Sequence, residues 1–147
     1  MTIRTVDEDI RLIPYYRNDA ASLPWYQDLD VCKQVDDRDT PYDAALLHRM
    51  YDYLCANGDC WYIEYRGTLV GDISLRASGE IAIVVCKAYQ NRHIGRAVVG
   101  KILELAREKD YPECFARIYS FNAQSQAVFR SIGFVQKDAE MFVYPLK

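Results

Sequence analysis

The residues best suited to chemistry form one run, Gln90-Asn91-Arg92-His93-Ile94-Gly95, lying between an apolar stretch and an amphipathic one. The preceding stretch, Ile81–Val85, is β-branched and reads as a buried strand. The following stretch places Val98, Ile102, Leu105 and Ala106 on one face of a long helix. A strand that empties into a helix N-terminus makes an anion site, because the first helical N–H groups lack intrahelical partners and sit at the positive end of the helix dipole. Backbone alone can therefore hold a pyrophosphate there. Gly95 and Ala97 supply small residues at the helix opening, and Arg92, His93 and Arg96 bring positive charge to its rim.

A second run, from Ile118 through Asn122 and Ser125 to Gly133-Phe134, has the form strand, Asn, helix, Gly-Phe. Together and in this order, the two runs resemble the GCN5-related N-acetyltransferases (GNAT), which move an acetyl group from acetyl-CoA to an amine. In that family the acetyl-CoA motif runs from the fourth strand through a Gln/Arg-x-x-Gly-x-Gly/Ala loop into the third helix. Here His93 replaces the first glycine. If that position needs positive φ, a histidine costs roughly 1 kcal/mol or more, a strain that functional sites carry. The Asn-x-x-Ser spacing of Asn122 and Ser125 is most similar to the branch of ribosomal-protein and aminoglycoside N-acetyltransferases. The likeness covers residues 60–147 well and the earlier part of the chain loosely.

The resemblance implies an α/β (α+β) domain over residues 1–147: a mixed, mostly antiparallel sheet of six to seven strands, with parallel fourth and fifth strands that splay apart, flanked by about four helices. It also implies that Gln90, Asn91, Arg92, His93, Ile94, Gly95, Arg96 and Ala97 cradle the pyrophosphate of acetyl-CoA. Asn122 would bond the pantetheine arm, with Ser125 and Phe129 alongside. Backbone along Ile83, Val84 and Val85 would meet the thioester, with N–H groups around Val84 and Val85 bonding its oxygen as charge develops. The implied activity is acetyl-CoA-dependent N-acetyl transfer by direct attack of a neutral primary amine, with no metal and no covalent enzyme intermediate. The acceptor would be a cationic small molecule or a protein N-terminus.

The chain departs from the family pattern at the catalytic pair. Glu80 opens the strand near where some family members carry a catalytic Glu, but one residue out of step, which in a strand turns a side chain to the other face. Glu64, Asp72 or an ordered water chain are the other candidate bases. Many relatives place a proton-donating Tyr seven residues after the Asn, where this chain has Phe129, so the acid passes to Ser125 or water. These departures sustain a rival reading, a CoA-binding sensor or interaction module that has lost turnover.

Over residues 26–43, Asp28, Asp30, Asp36, Asp37, Asp39 and Asp43 face only Lys33 and Arg38. The stretch is either a funnel for an amine cation or a solvated loop. Trp25 and Tyr26, with Asp28, are the candidate acceptor-binding residues; packing the loop down is the alternative role for the two aromatics. A net charge of -3 and a pI near 5.4 argue against a nucleic-acid surface. The five cysteines include no Cys-x-x-Cys pair and have only His48 and His93 for company, as reduced thiols of a cytoplasmic protein would. Acids near the N-terminus and the lack of a long apolar run point away from secretion and from the membrane. A homodimer is left open. A nucleotide-binding domain is disfavoured because the lysine-bearing phosphate loop and repeated βαβ units are missing.

The positioning elements follow in order. The pattern predicts a strand over 2–6, then a helix over 10–16 capped by Asp7 or Asp9. A second helix starts with Thr40 as N-cap, Pro41 at its first position and Asp43 at its third, and stops at Asn57-Gly58. Strands are predicted over 60–66 and 69–76, turning at Arg66-Gly67-Thr68, and then the strand Ile81–Val85 and a helix over 95–110. A strand over 114–120, a helix over Ala123–Ile132 and strands over 134–136 and 141–144 close the chain.

Overall fold

The stretch 10–14 follows period two rather than the spacing of a helix. In a computed structural model describing residues 1–147, β1 (Arg4–Thr5) pairs antiparallel with β2 (Ile10–Pro14), Arg4 lying opposite Leu12. Ile10 and Leu12 point into the core and Arg11 points out, so the helix predicted over 10–16 is a strand. Asp7 caps the connecting turn instead, its Oδ1 accepting from the amides of Asp9 and Ile10. Pro14 is tolerated because it ends the strand beyond the reach of the short β1, where no ladder bond needs its missing N–H.

The acidic segment is helical up to Asp36. After α1 (Asp19–Ser22) and a 3-10 turn (Leu23–Gln27), Asp28 caps α2 (Leu29–Asp36), accepting from the amides of Asp30 and Val31. The next helix, α3 (Ala44–Asn57), begins later than its Thr-Pro signal predicts. Asp43 is the N-cap, accepting from the Leu46 amide at 2.8 Å, and Thr40 and Pro41 lie before it.

Strands β3 (Gly58–Tyr65), β4 (Thr68–Arg76) and β5 (Ile81–Val85) complete an antiparallel sheet in the order β1-β2-β3-β4-β5. The β3–β4 turn places both Arg66 and Gly67 at positive φ, the primed geometry that matches strand twist. Then α4 (Ile94–Glu108) leads to β6 (Glu113–Arg117), α5 (Ala123–Ile132), β7 (Val135–Gln136) and β8 (Met141–Pro145), with β6-β8-β7 forming a second antiparallel sheet.

The expected single sheet of six to seven strands is thus five strands plus three, and the helices number five. The two sheets touch at one parallel bridge, Glu80 to Phe115, where the Phe115 amide donates to the Gly79 carbonyl at 3.0 Å. Gly79 permits that approach: at φ +96 it takes a conformation disfavoured for other residues, and a Cβ would lie 2.6 Å from the Glu113 carbonyl oxygen. Beyond the bridge β5 and β6 part. One face of the larger sheet packs Ile73, Leu75 and Ile81 against Val98, Ile102 and Leu105 of α4; the other carries Tyr62 and Val84 under Tyr26, Leu47 and Tyr51.

Candidate active site

Strand alternation decides which backbone groups enter the gap. The Cys86 amide donates to Val70, and the Glu80 carbonyl accepts from Arg76, so even-numbered residues of this stretch bond β4. Ile83 and Val85 therefore turn their N–H and C=O groups into the gap beside β6. Val84, expected to share the role of oxyanion donor, has its amide committed to the β4 ladder.

The loop after β5 makes a 3-10 turn (Lys87–Tyr89) and then uses two left-handed residues, Asn91 and His93, both at φ 63. His93 accordingly occupies the conformation a glycine would take freely. It also stands at the N-cap position of α4 without a side-chain cap bond, and within the chain nothing accepts from the amides of Ile94, Gly95 or Arg96. The other long helices differ: Asp28, Asp43 and Asn122 close the starts of α2, α3 and α5 with their side chains. A helix start left with free donors at the end of a splayed strand fits a diphosphate. Beside it, His93, Arg96, Ala97, Gly100 and Lys101 line a hollow of about 440 Å³. Arg92 stacks on the Tyr89 ring instead, 5.0 Å from its centroid.

Two glutamines bridge neighbouring elements. Gln90 Nε2 donates to the Val85 carbonyl at 2.9 Å and to Gln34 of α2 at 3.1 Å, while Gln124 of α5 donates to Asn91 at 2.9 Å. Asn122 Oδ1 accepts from the Ser125 amide at 3.2 Å, which leaves its Nδ2 as a donor for a ligand. The Ser125 hydroxyl bonds nothing in the chain. Phe129 is a core residue, 2% exposed and edge-on to Phe134 with ring centroids 4.9 Å apart.

Of the candidate bases, Glu80 lies at the bridged end of the gap, its carboxylate held by Arg76 at 3.1 Å. Glu64 is similarly held by Arg11 at 2.7 Å. Asp72 has no cation. It is buried on β4, and its Oδ2 accepts from the hydroxyls of Tyr26 at 2.6 Å and Tyr51 at 2.8 Å. Burial raises its carboxyl from 3.8 to about 6, against the opposing pull of the two hydroxyls. Tyr51 was not a sequence candidate; the available signal was an aspartate at an inward position of an apolar strand.

The acceptor candidates separate. Trp25 and Asp28 meet Pro24, Cys86, Lys87 and Ala88 around a cavity of about 400 Å³ at the end of β5, whereas Tyr26 turns inward to Asp72. The acidic segment is largely spoken for by local partners. Asp28 and Asp43 cap helices, Asp30 pairs with Lys87, Asp37 with Lys33, and Asp36 accepts from Tyr42 near Arg38. Only Asp39 has neither a cap nor an ion-pair role. No three His, Cys, Asp or Glu side chains converge as metal ligands, and no helix is long and apolar enough to cross a membrane.

Comparison with known proteins matches this geometry to a family. The sequence model of the Acetyltransferase (GNAT) family matches residues 23–134. The chain belongs to the GNAT acetyltransferase family. Among solved structures, this GNAT chain is similar to a Salmonella typhimurium acetyl transferase that modifies the N-terminal serine of ribosomal protein L7/L12, with 11% identity, TM-score 0.82 and 99% of each chain covered. It is also similar to the spermidine N-acetyltransferase of Vibrio cholerae in complex with CoA and spermine: 12% identity, TM-score 0.79, 95% of this chain and 96% of that one. A domain from Methanocaldococcus jannaschii reaches 22% identity and TM-score 0.78, over 95% of this chain and all of the other. At these identities the likeness is one of fold. No curated protein matches the chain.

Proposed function

We propose that this acetyltransferase takes its acetyl group from acetyl-CoA and passes it to a primary amine by direct attack, in the reducing cytoplasm that five unpaired thiols suit. The observation that carries the reading is the uncapped start of α4 where β5 leaves its partner: the free amides of Ile94, Gly95 and Arg96 form a diphosphate cradle. Acetyl-CoA when bound supplies a thioester, an acyl donor with a good leaving group. The amides of Ile83 and Val85 offer donors for the thioester oxygen, Asn122 Nδ2 offers one to the pantetheine arm, and the groove fixes the geometry of attack. Trp25 and Asp28 border the acceptor's approach beside Cys86. Gln90 must release the Val85 carbonyl if the arm is to bond it.

Calorimetry with acetyl-CoA, repeated on Gly95→Glu and Asn122→Ala, tests the site; affinity untouched by both changes would overturn it. The second reading, a CoA-binding sensor without turnover, draws on Phe129, which has no proton to give, and on Glu80, which is tied to Arg76. Thiol release from acetyl-CoA across a panel of amines separates the two: binding without release supports the sensor.

A further inference from the structure

The five thiols divide by their surroundings. Cys32 and Cys114 are buried and Cys86 is half-buried, and burial pushes each of the three up. The other two form a pair across the junction of α3 and β3. Cys55 lies in the last turn of α3, one turn beyond Tyr51 and on the same face, and is exposed. Cys60 comes just after the Asn57-Gly58 reversal, on the side of β3 that also carries Tyr62, and is 1% exposed among Tyr51, Leu54 and Tyr62. The short reversal brings the two side chains together, and the Cys60 thiol donates to the Cys55 sulfur.

That contact separates the two thiols chemically. Donation from Cys60 draws Cys55 down to about 7, against its partial burial and the neighbouring carboxylates of Asp52 and Asp59. Cys60 is held up by the same hydrogen bond and then by burial. Tyr15, stacked on Tyr51 with ring centroids 4.4 Å apart, is the other titratable group beside Cys55, and burial keeps it protonated at neutral pH. An exposed thiol that ionises near neutral pH, set against a buried protonated one, is the arrangement of an attacking cysteine and its resolving partner.

We propose that Cys55 and Cys60 are an oxidisable pair, which a hydroperoxide converts to a reversible disulfide joining the end of α3 to β3. The Cys55 thiolate attacks a peroxide oxygen; the O–O bond breaks, the other oxygen leaves as water or an alcohol after taking a proton from solvent, and Cys55 becomes a sulfenic acid. The Cys60 sulfur then attacks the sulfenic sulfur as its own proton departs. The S–OH bond breaks, water leaves, and the S–S bond forms. Two thiols are oxidised by two electrons in all, and the peroxide is reduced by the same two. Sulfurs already in hydrogen-bond reach need only side-chain rotation to close to the S–S length of about 2 Å. Because Cys60 is sealed in the core, an oxidant reaches it only by way of Cys55. A transient disulfide of this kind is compatible with a reducing compartment. The pair lies beyond β4 from the groove beside β5, so it stands independently of the acetyl-transfer reading.

The test is a thiol count on the full chain during treatment with hydrogen peroxide at neutral pH, followed by intact mass and peptide mapping. The wild type is expected to lose two of its five thiols at least ~10-fold faster than the other three, with a mass lower by two hydrogens, a peptide cross-linked between Cys55 and Cys60, and return of both thiols on adding dithiothreitol. Cys55→Ser is expected to slow the first loss by ~10-fold or more. In Cys60→Ala the Cys55 sulfur should gain oxygen instead, and excess peroxide should carry it to a sulfinic acid that dithiothreitol does not reverse. Oxidation that begins at Cys86, a disulfide between two chains in place of the internal one, or a Cys55→Ser variant that reacts as fast as the wild type overturns the proposal. If Cys60→Ala fails to fold, the mapped cross-link and the exposed-site variant Cys55→Ser decide.

Discussion

The groove beside β5 and the tyrosine wall over β4 lie one strand apart and are made of different materials. The groove presents backbone: the amides of Ile83 and Val85 on a strand edge, and those of Ile94, Gly95 and Arg96 at a helix start. The wall presents side chains, namely one carboxylate and the hydroxyls of Tyr26 and Tyr51 that bond it. A backbone site depends on shape and φ/ψ, so it tolerates varied side chains and fails when one intrudes. A buried side-chain site is sensitive to single atoms and bears the cost of an unpaired charge.

Substitutions that respect one material and attack the other sharpen this contrast. The largest effect is expected from Gly95→Glu, which puts a carboxylate where the diphosphate would sit. Acetyl-CoA affinity should fall by ~100-fold or more, about 3 kcal/mol, while Gly95→Ala, whose Cβ would meet only Ile83 Cδ1 at 3.8 Å, leaves it nearly unchanged. Calorimetry reads both. Equal losses for Ala and Glu would break the backbone account.

Asp72→Asn should stabilise the fold at pH 7.5. The folded carboxyl titrates near 6 and the unfolded one at 3.8, so the folded state holds its proton to higher pH. Wild-type stability from this group is therefore lost as pH rises from about 4 to 6 and stays lost above it, by on the order of 3 kcal/mol. Thermal melts of wild type and variant should diverge across that window and coincide more closely at pH 4. A variant less stable than wild type at pH 7.5 and more stable at pH 4 would reverse the sign and sink the claim.

Asn122→Ala should act on the groove alone but in two ways, removing a helix cap worth about 1 kcal/mol and the proposed donor to the pantetheine arm. It is read as a lower melting temperature together with weaker acetyl-CoA binding. The smallest effect is expected for Gln90→Ala, which frees the Val85 carbonyl; acetyl-CoA affinity should rise a few-fold, under ~1 kcal/mol, the net scale of one neutral hydrogen bond. A loss of affinity would instead make Gln90 a support of the loop.

The motif that leads from β5 into α4 was legible because it is local: β-branched residues, a polar loop and an amphipathic helix follow one another along the chain. The splayed geometry was legible only through the resemblance. Other local signals misled where two of them competed. The spacing of Ile10, Ile13 and Tyr16 allowed a helix, but Ile10-x-Leu12 also alternates, and pairing with β1 and β3 decided for the strand. At α3 both Thr40 and Asp43 can cap, and the amide of Leu46 met Asp43. The acids of 26–43 read as a field in one dimension, whereas in three they are mostly caps and ion pairs.

What the chain's order of residues settled alone is where β5 would stop and α4 would open; that His93 stands in a glycine's place came through the resemblance, and its left-handed backbone only through the structure. Assembly settled the rest: which amides of β5 face the gap, that Glu80 would be spent on Arg76, and that Asp72 would meet tyrosines from two other elements and no cation. Burial, register and pairing arise between segments far apart in sequence, so no window of neighbouring residues contains them, and the chemistry of a carboxylate is set by what it is buried against.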